Sequence, residues 1–303
     1  MRVSPSKPSV ARGGSTIIPV RDYDLTATLA SGQVFNWEQG GDSWIGVVAG
    51  RWVRLRAWAD AIEVETAEHL NDWNWLTTFL QTEVNLTDIL GTFPAHDEHL
   101  QAAVRACRGL RLLRQDPWEC LASFILSSTK QIVQIRQIVR LLGERYGQRV
   151  ASDKPDAAAY SFPSAVRLAA LSEADLRACK MGFRAPYLLA AARRVANGEI
   201  VLDALRHPSL PEARQQLLQF DGVGEKIADC VLLFAYGFPE AFPVDVWVQR
   251  VLTQYYFRNR RVRPERLRRF IGTHFGRNAG YCQQYLFHHI RTRSGKSLFP
   301  PGR

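Results

Sequence analysis

The apolar residues change their period part-way along the chain, and that change restricts the possible folds more than any other feature. Between residues 20 and about 93 lie the short segments VFNWEQ, SWIGVVAG, RWVRLRAW and AIEVET, rich in Val, Ile and Trp and parted by GGD, AG and AD. This is the texture of antiparallel strands joined by tight turns. RWVRLRAW alternates large apolar with basic residues, as a half-exposed strand does. Six of the eight tryptophans precede residue 76, and most of them are expected to build a compact antiparallel core. From about residue 94 the spacing becomes helical. The expected fold is mainly α with an α+β N-terminal domain: a flexible tail over 1–19, an antiparallel-sheet domain over 20–115, and a helical body over 116–303.

Local signals mark the helices. Asp116-Pro117 opens one through WECLASFILSS, with proline in the first turn. Ile132, Ile135, Val139 and Leu142 set the apolar face of the next, which closes at Gly143 or Gly147. SEAD at Ser172 is a capped first turn, and RAPYLLAAARRVANG ends on Asn-Gly. Helices over Pro211–Phe220 and Glu225–Tyr236 are joined by DGVG, and further helices cover Asp245–Tyr255, Pro264–Phe275 and about Asn278–Arg293.

Charge is concentrated at one end. The chain carries a net +10 with a pI near 9.7. From Trp247 onward there are thirteen Lys or Arg and a single acid, Glu265. Aromatic residues are interleaved with these charges (Tyr255, Tyr256, Phe257, Phe270, Phe275, Tyr281, Tyr285 and Phe287), which fits a folded basic face better than a disordered tail. Such a face suits a polyanion. Cys107, Cys120, Cys179, Cys230 and Cys282 have no CxxC spacing, so neither a disulfide framework nor a zinc ribbon is expected, in keeping with a reducing compartment. No apolar run is long enough to span a membrane, and the N-terminus lacks the apolar core of a secretion signal.

The chemistry-bearing stretch is helix, FDGVG, helix. Gly222 and Gly224 are expected to take positive φ and expose backbone N–H groups, which together with the next helix start would hold one phosphate. A tight interhelical turn would use the same residues. Lys226 stands in the first turn of that helix, where the macrodipole disfavours a cation, ahead of an apolar run. It either snorkels to solvent or faces a cleft, where a free amine could form a Schiff base. Cys230, one helical turn on, shares its face. Asp245 precedes VWVQRVL, the placement of a helix N-cap.

GVGEKIADCVLLFAYGFPEAFPVDVWVQR, residues 222–250, resembles the helix–hairpin–helix plus Gly/Pro/Asp signature of base-excision DNA glycosylases, and in particular the eukaryotic-type 8-oxoguanine DNA glycosylase family. LASGQVFNW (29–37), DPWECLASFILSS (116–128), MGFRAPYL (181–188) and GYCQQYLF (280–287) resemble further segments of that family, so the likeness runs from about residue 20 to 293. It implies an antiparallel-sheet domain with two helical subdomains, and excision of 8-oxoguanine from duplex DNA followed by strand cleavage. Lys226 would attack the sugar C1′, and Asp245 would stabilise the positive charge developing there. Phe287 and Cys230 would sandwich the flipped base and Gln283 would bind its Watson–Crick edge. The Gly32 carbonyl would accept from the N7–H that guanine lacks. Gly222, Val223, Gly224, Thr129, Lys130, Gln131, Arg184 and Trp247 would meet the DNA.

The chain departs from the family after the double serine, where Thr129-Lys130-Gln131 replaces an asparagine run and Gln134 replaces an arginine that helps read the opposite cytosine. Weaker preference for cytosine is the expectation. No cofactor is implied: an iron–sulfur cluster needs four closely spaced cysteines near the C-terminus, where only Cys282 lies, and the hairpin leaves room for a monovalent cation alone. Damaged double-stranded DNA is the expected partner, met by a monomer. Two other readings stay open, a glycosylase for another purine lesion and a non-catalytic DNA-binding module.

Overall fold

In the computed structural model, which describes residues 13–127, 131–152, 158–260 and 262–293, five strands make one antiparallel sheet. They are β1 (Ser15–Pro19), β2 (Trp37–Gly40), β3 (Ser43–Val48), β4 (Arg51–Trp58) and β5 (Ala61–Thr66), in the order β1-β5-β4-β3-β2. The register sets Trp44 opposite Leu55 and Leu55 opposite Val64, so one face is continuously apolar and buried. Trp37 lies across Gly46, where a Cβ would stand 2.5 Å from the indole. On the other face Arg54 pairs with Glu65 at 2.8 Å and Arg56 with Glu63 at 3.0 Å. Half-exposed pairs of this kind contribute about 0–1 kcal/mol each.

Three expectations need correction here. The tail does not extend to residue 19: STIIP is β-branched and pairs along the free edge of β5 from Ser15 to Pro19, while residues 1–12 lie outside the described residues. The tryptophans do not form one core. Trp37 and Trp44 are inside, but the two-residue period of β4 turns Trp52 and Trp58 to the arginine face, where Trp52 lies under Arg54 and Trp58 is 36% exposed. Strand texture also ends earlier than residue 93. NWLTTFL looks β-prone by composition, yet Leu76, Phe79 and Leu80 share one helical face and are buried.

The described helices are α1 (Leu25–Ala30), α2 (Asn74–Leu80), α3 (Leu86–Leu90), α4 (Glu98–Ala106), α5 (Pro117–Leu126), α6 (Ile132–Tyr146), α7 (Ala165–Ala169), α8 (Glu173–Arg177), α9 (Ala185–Ala196), α10 (Leu210–Leu217), α11 (Glu225–Val231), α12 (Val246–Val251), α13 (Pro264–Phe275) and α14 (Ala279–Arg293). A π turn extends α11 over Leu232–Tyr236 and another extends α12 over Leu252–Tyr256. The Asp116 side chain accepts from Glu119 N at 2.9 Å to start α5, and the Ser172-Asp175 capping box starts α8. Closure of α6 falls at Gly147.

α5 organises the body. It is apolar on nearly every side and buried throughout its apolar length, which suits only a central helix. One apolar cluster surrounds it, reaching from Leu86 and Leu100 through α9 and α11 to Tyr285 in α14. Packing thus divides differently from the boundary expected at 115/116: Leu86 to Leu110 join the large core, and Leu113 belongs to the small one beneath the sheet. At the C-terminal end Tyr256, Phe270, His274 and Phe275 pack edge and face against one another. Arg263, Arg266 and Arg269 remain exposed around them, so the basic residues of α13 and α14 are carried on folded helices.

The sheet is tied to α5 by Asn36, whose Nδ2 donates to Val47 O at 2.8 Å and to Glu119 Oε1 at 2.7 Å. Burial pushes the Glu119 carboxyl up to about 8, with the Asp116 charge adding to the rise. A carboxyl raised in the fold keeps a proton that the unfolded chain releases, so its contribution to stability falls as pH rises from about 4.5 towards 8. Glu119→Gln removes this titration. Urea unfolding should show the variant gaining on the wild type between pH 5 and pH 8, whereas a difference constant with pH would contradict the assignment.

Candidate active site

Helices α10 and α11 are joined by Phe220-Asp221-Gly222-Val223-Gly224. Gly222 has φ +76°, and a Cβ on it would lie 2.8 Å from the Tyr187 ring, so conformation and close packing both call for glycine. Gly224 differs from expectation: it caps α11 in extended conformation, φ −98° and ψ 179°, and no atom stands within 4 Å of where its Cβ would be. It supplies an uncovered backbone in place of a left-handed turn. Val223 is buried beneath the turn.

Lys226 is half-buried and does not snorkel. Its Nζ donates to Ser127 Oγ at 2.8 Å and stands 5.3 Å from the centroid of the Phe124 ring. The Ser127 hydroxyl, at the C-terminus of α5, donates in turn to Phe124 O at 2.8 Å. Asp245 caps α12, with Oδ1 accepting from Val248 N at 2.7 Å; among the described residues no hydrogen bond to Oδ2 is present. Cys230 lies within electrostatic reach of both charges. Burial pushes its thiol up to about 12, with Lys226 pulling down and Asp229 and Asp245 pushing up. Cys230 is therefore a neutral, polarizable wall.

A second group forms around Gly32, which has φ +84°. Its loop is fixed by the buried side chain of Gln33, whose Nε2 donates to Thr28 O at 3.0 Å and Arg111 O at 2.8 Å while Oε1 accepts from Leu113 N at 2.8 Å. On α14, Gln284 Nε2 donates to Ser31 O at 3.3 Å, locking that helix to the same loop. The neighbouring Gln283 is 4% exposed, and its Oε1 is buried without a partner among the described residues. An orphaned buried amide oxygen costs about 1–3 kcal/mol, which a ligand donor would recover. A Cβ on Gly32 would lie 2.7 Å from Ile132 Cδ1, 2.9 Å from Arg291 Nη1 and 3.5 Å from Phe287 Cε1. Phe287 and Trp247 line one small cleft between α14 and α12, which joins this group to the helix capped by Asp245.

Other expected residues lie around the rim. Arg184 Nη1 donates to Gly222 O at 3.4 Å, and its guanidinium rests 5.3 Å from the Tyr187 centroid, so MGFRAPYL is tied to the hairpin. Trp247 is 41% exposed. Gln131 N donates to Gln134 Oε1 at 3.1 Å, so Gln134 caps its own helix. Thr129 and Lys130 lie outside the described residues. Sequence reasoning missed two residues. Ser127 holds the lysine, a contact across 99 positions that no local pattern encodes. Phe183, 54% exposed beside Arg184, was legible as a large aromatic following a glycine in a loop. Among the described residues no cluster of His, Cys, Asp or Glu could hold a metal ion.

Residues 15–121 match the family model of the 8-oxoguanine DNA glycosylase N-terminal domain, and residues 122–273 match that of the HhH-GPD superfamily base excision DNA repair protein. The N-glycosylase/DNA lyase OGG1 of Arabidopsis thaliana is 30% identical over 285 residues, covering 88% of this chain and 77% of its own. MBOgg1, solved in complex with a low affinity DNA ligand, has a TM-score of 0.88 at 32% identity, with 93% of this chain and 97% of that chain covered. The Clostridium acetobutylicum 8-oxoguanine glycosylase/lyase, solved with double-stranded DNA containing cytosine opposite to 8-oxoG, has a TM-score of 0.84 at 28% identity, with 92% and 98% covered.

Gly32→Ala would place a methyl against Ile132 and Arg291 and hold alanine at φ +84°. The expected cost is about 1–3 kcal/mol of folding stability, read as a lower urea midpoint. An unchanged midpoint would show that the loop yields freely.

Proposed function

This chain belongs to the 8-oxoguanine DNA glycosylase family of the helix–hairpin–helix superfamily, and from that premise we propose that it excises 8-oxoguanine from duplex DNA and cleaves the resulting abasic strand through Lys226. The observation that carries the reading is the inward setting of Lys226, held on Ser127 and sharing the neighbourhood of Cys230 with Asp245. A lysine serving only solubility would extend into water.

In this reading the flipped base lies between Phe287 and Cys230. The orphaned Gln283 Oε1 accepts from its Watson–Crick edge, and Gly32 O accepts from N7–H. Guanine carries a lone pair at N7 and would face the carbonyl oxygen with it, a mismatch that costs an unmade hydrogen bond. As the C1′–N9 bond breaks, its electron pair leaves with the base and positive charge develops on the sugar. The Asp245 carboxylate, already oriented by Val248 N, stabilises that charge. The free amine of Lys226 then bonds to C1′, and as the C1′–O4′ bond breaks a proton passes from the new ammonium to O4′, opening the ring to the iminium. Removal of a C2′ proton expels the 3′ phosphate, and water hydrolyses the imine to release the lysine. The chemistry calls on side chains alone and no cofactor.

The hairpin N–H groups from Gly222 to Gly224 contact one backbone phosphate, and the basic residues of α13 lend sequence-independent attraction. Arg268 is partly spent, because it pairs with Glu225 at 3.0 Å. Phe183 wedges into the stack beside Arg184, which faces the orphaned base. One copy of the chain carries every group named.

Borohydride should trap a covalent protein–DNA adduct on an 8-oxoguanine duplex, and Lys226→Gln should abolish it while leaving duplex binding within about threefold. Asp245→Asn keeps a cap oxygen and should slow base release at least ~100-fold, or about 2.7 kcal/mol in barrier. A trapped adduct of undiminished yield in Lys226→Gln would sink the assignment of the nucleophile. With Gln134 turned onto its own helix, excision opposite cytosine should exceed excision opposite adenine by less than ~100-fold; a larger ratio would show that other donors read the opposite base.

A further inference from the structure

Arg291, on α14 one turn beyond Phe287, has no part in the scheme above, yet it stands against the residue assigned to N7–H. Its Nη2 donates to Ala30 O. Its guanidinium carbon lies 5.5 Å from the Phe287 ring centroid, and Nη1 is 2.9 Å from the Cβ position that Gly32 leaves empty. Nη1 is buried and, among the described residues, finds no acceptor. The neighbouring Arg136 is held in the same manner, Nη2 donating to Leu29 O at 3.3 Å while its buried Nε has no partner among the described residues. Two guanidinium groups are thus gathered on the last carbonyls of α1, the end of a helix that favours cations. No carboxylate is paired with either among the described residues. Burial, with the like charge of Arg136 added, holds the Arg291 pKa below its ordinary value. A buried guanidinium with a spare N–H is costly unless an acceptor completes it.

The chemistry of the lesion supplies that acceptor. In 8-oxoguanine the N7–H is flanked by two carbonyl oxygens, O6 and O8. O6 belongs to the Watson–Crick edge, which faces Gln283 in the reading above. A base whose N7–H meets Gly32 O therefore brings O8 to the side of that carbonyl left for Arg291. We propose that Arg291 is a specificity-determining residue that donates from Nη1 to O8 of the flipped base, with Arg136 and the α1 carbonyls fixing its position. Guanine has C8–H there and returns no acceptor to the guanidinium, so the site would test the lesion twice, at N7 and at O8. This inference rests on the proposed function and adds a second reading group to it.

The test compares each protein with itself on two duplexes. One carries 8-oxoguanine and the other a preformed abasic site, which has no base to read. Arg291→Met keeps the length of the side chain and removes its donors; Arg291→Lys keeps one cationic donor. The ratio of 8-oxoguanine release to borohydride trapping on the abasic duplex should fall at least tenfold in Arg291→Met and recover at least threefold of that in Arg291→Lys. A parallel loss on both duplexes would mean a structural role and overturn the proposal, as would an unchanged ratio. A rise in the ratio would overturn it too, by showing that the guanidinium obstructs the base. A wild-type protein that traps on abasic DNA but releases no 8-oxoguanine would instead overturn the functional reading itself.

Discussion

A half-buried ammonium has to be given an oxygen, and the hydrogen bond from Lys226 Nζ to Ser127 Oγ meets that demand at the one place where the two central helices converge. α5 can only be buried, because its sequence is apolar almost all round. α11 packs against it within the apolar cluster that holds Ile227, Ala228 and Val231, and Lys226 meets the C-terminal end of α5 at Ser127, away from bulk water. The same packing buries Cys230 within electrostatic reach of both the lysine and Asp245, where its thiol stays neutral. The neighbourhood of the amine, the thiol and the carboxylate thus follows from how a greasy helix is covered.

The group proposed to read the base depends on a different device. Gln33 is fully buried, and its amide is spent on backbone groups of residues 28, 111 and 113. It anchors a loop that would otherwise move, and Gly32 rides on that loop in a conformation other residues resist. Gln284 fixes α14 to the loop next to Gly32, so Phe287 and Arg291 meet Gly32 from one helix, with Gln283 one turn before Phe287. Rigid supports of this kind under the proposed readers suit geometric discrimination between bases that differ by a few atoms.

Much of this was legible in the chain. The hairpin, the cap at Asp245, the proline start of α5 and the limits of α13 are local matters of backbone conformation and first-turn hydrogen bonding, and the structure shows them where the residues point. What escaped is long-range. STIIP looks like a tail until the edge of β5 is seen beside it. The tryptophans at 52 and 58 look like core until strand register assigns faces. Gly224 looks like a second left-handed glycine, yet of the two only Gly222 takes that conformation. Ser127 and Arg291 carry no local mark at all, since each matters through a contact about a hundred or more positions away. The pattern of the lysine and aspartate suggested chemistry; only the fold shows what surrounds each of them.

The central claim is that a single amine, Lys226, is the atom that becomes bonded to the sugar. The most direct measurement is peptide mapping by mass spectrometry of wild-type protein reduced with borohydride on an 8-oxoguanine duplex and digested to peptides and nucleosides. The reduced deoxyribose fragment should appear on the peptide containing GVGEK, with fragment ions placing it on Lys226. A fragment located on another lysine or on the N-terminal amine, with Lys226 unmodified, would contradict that claim.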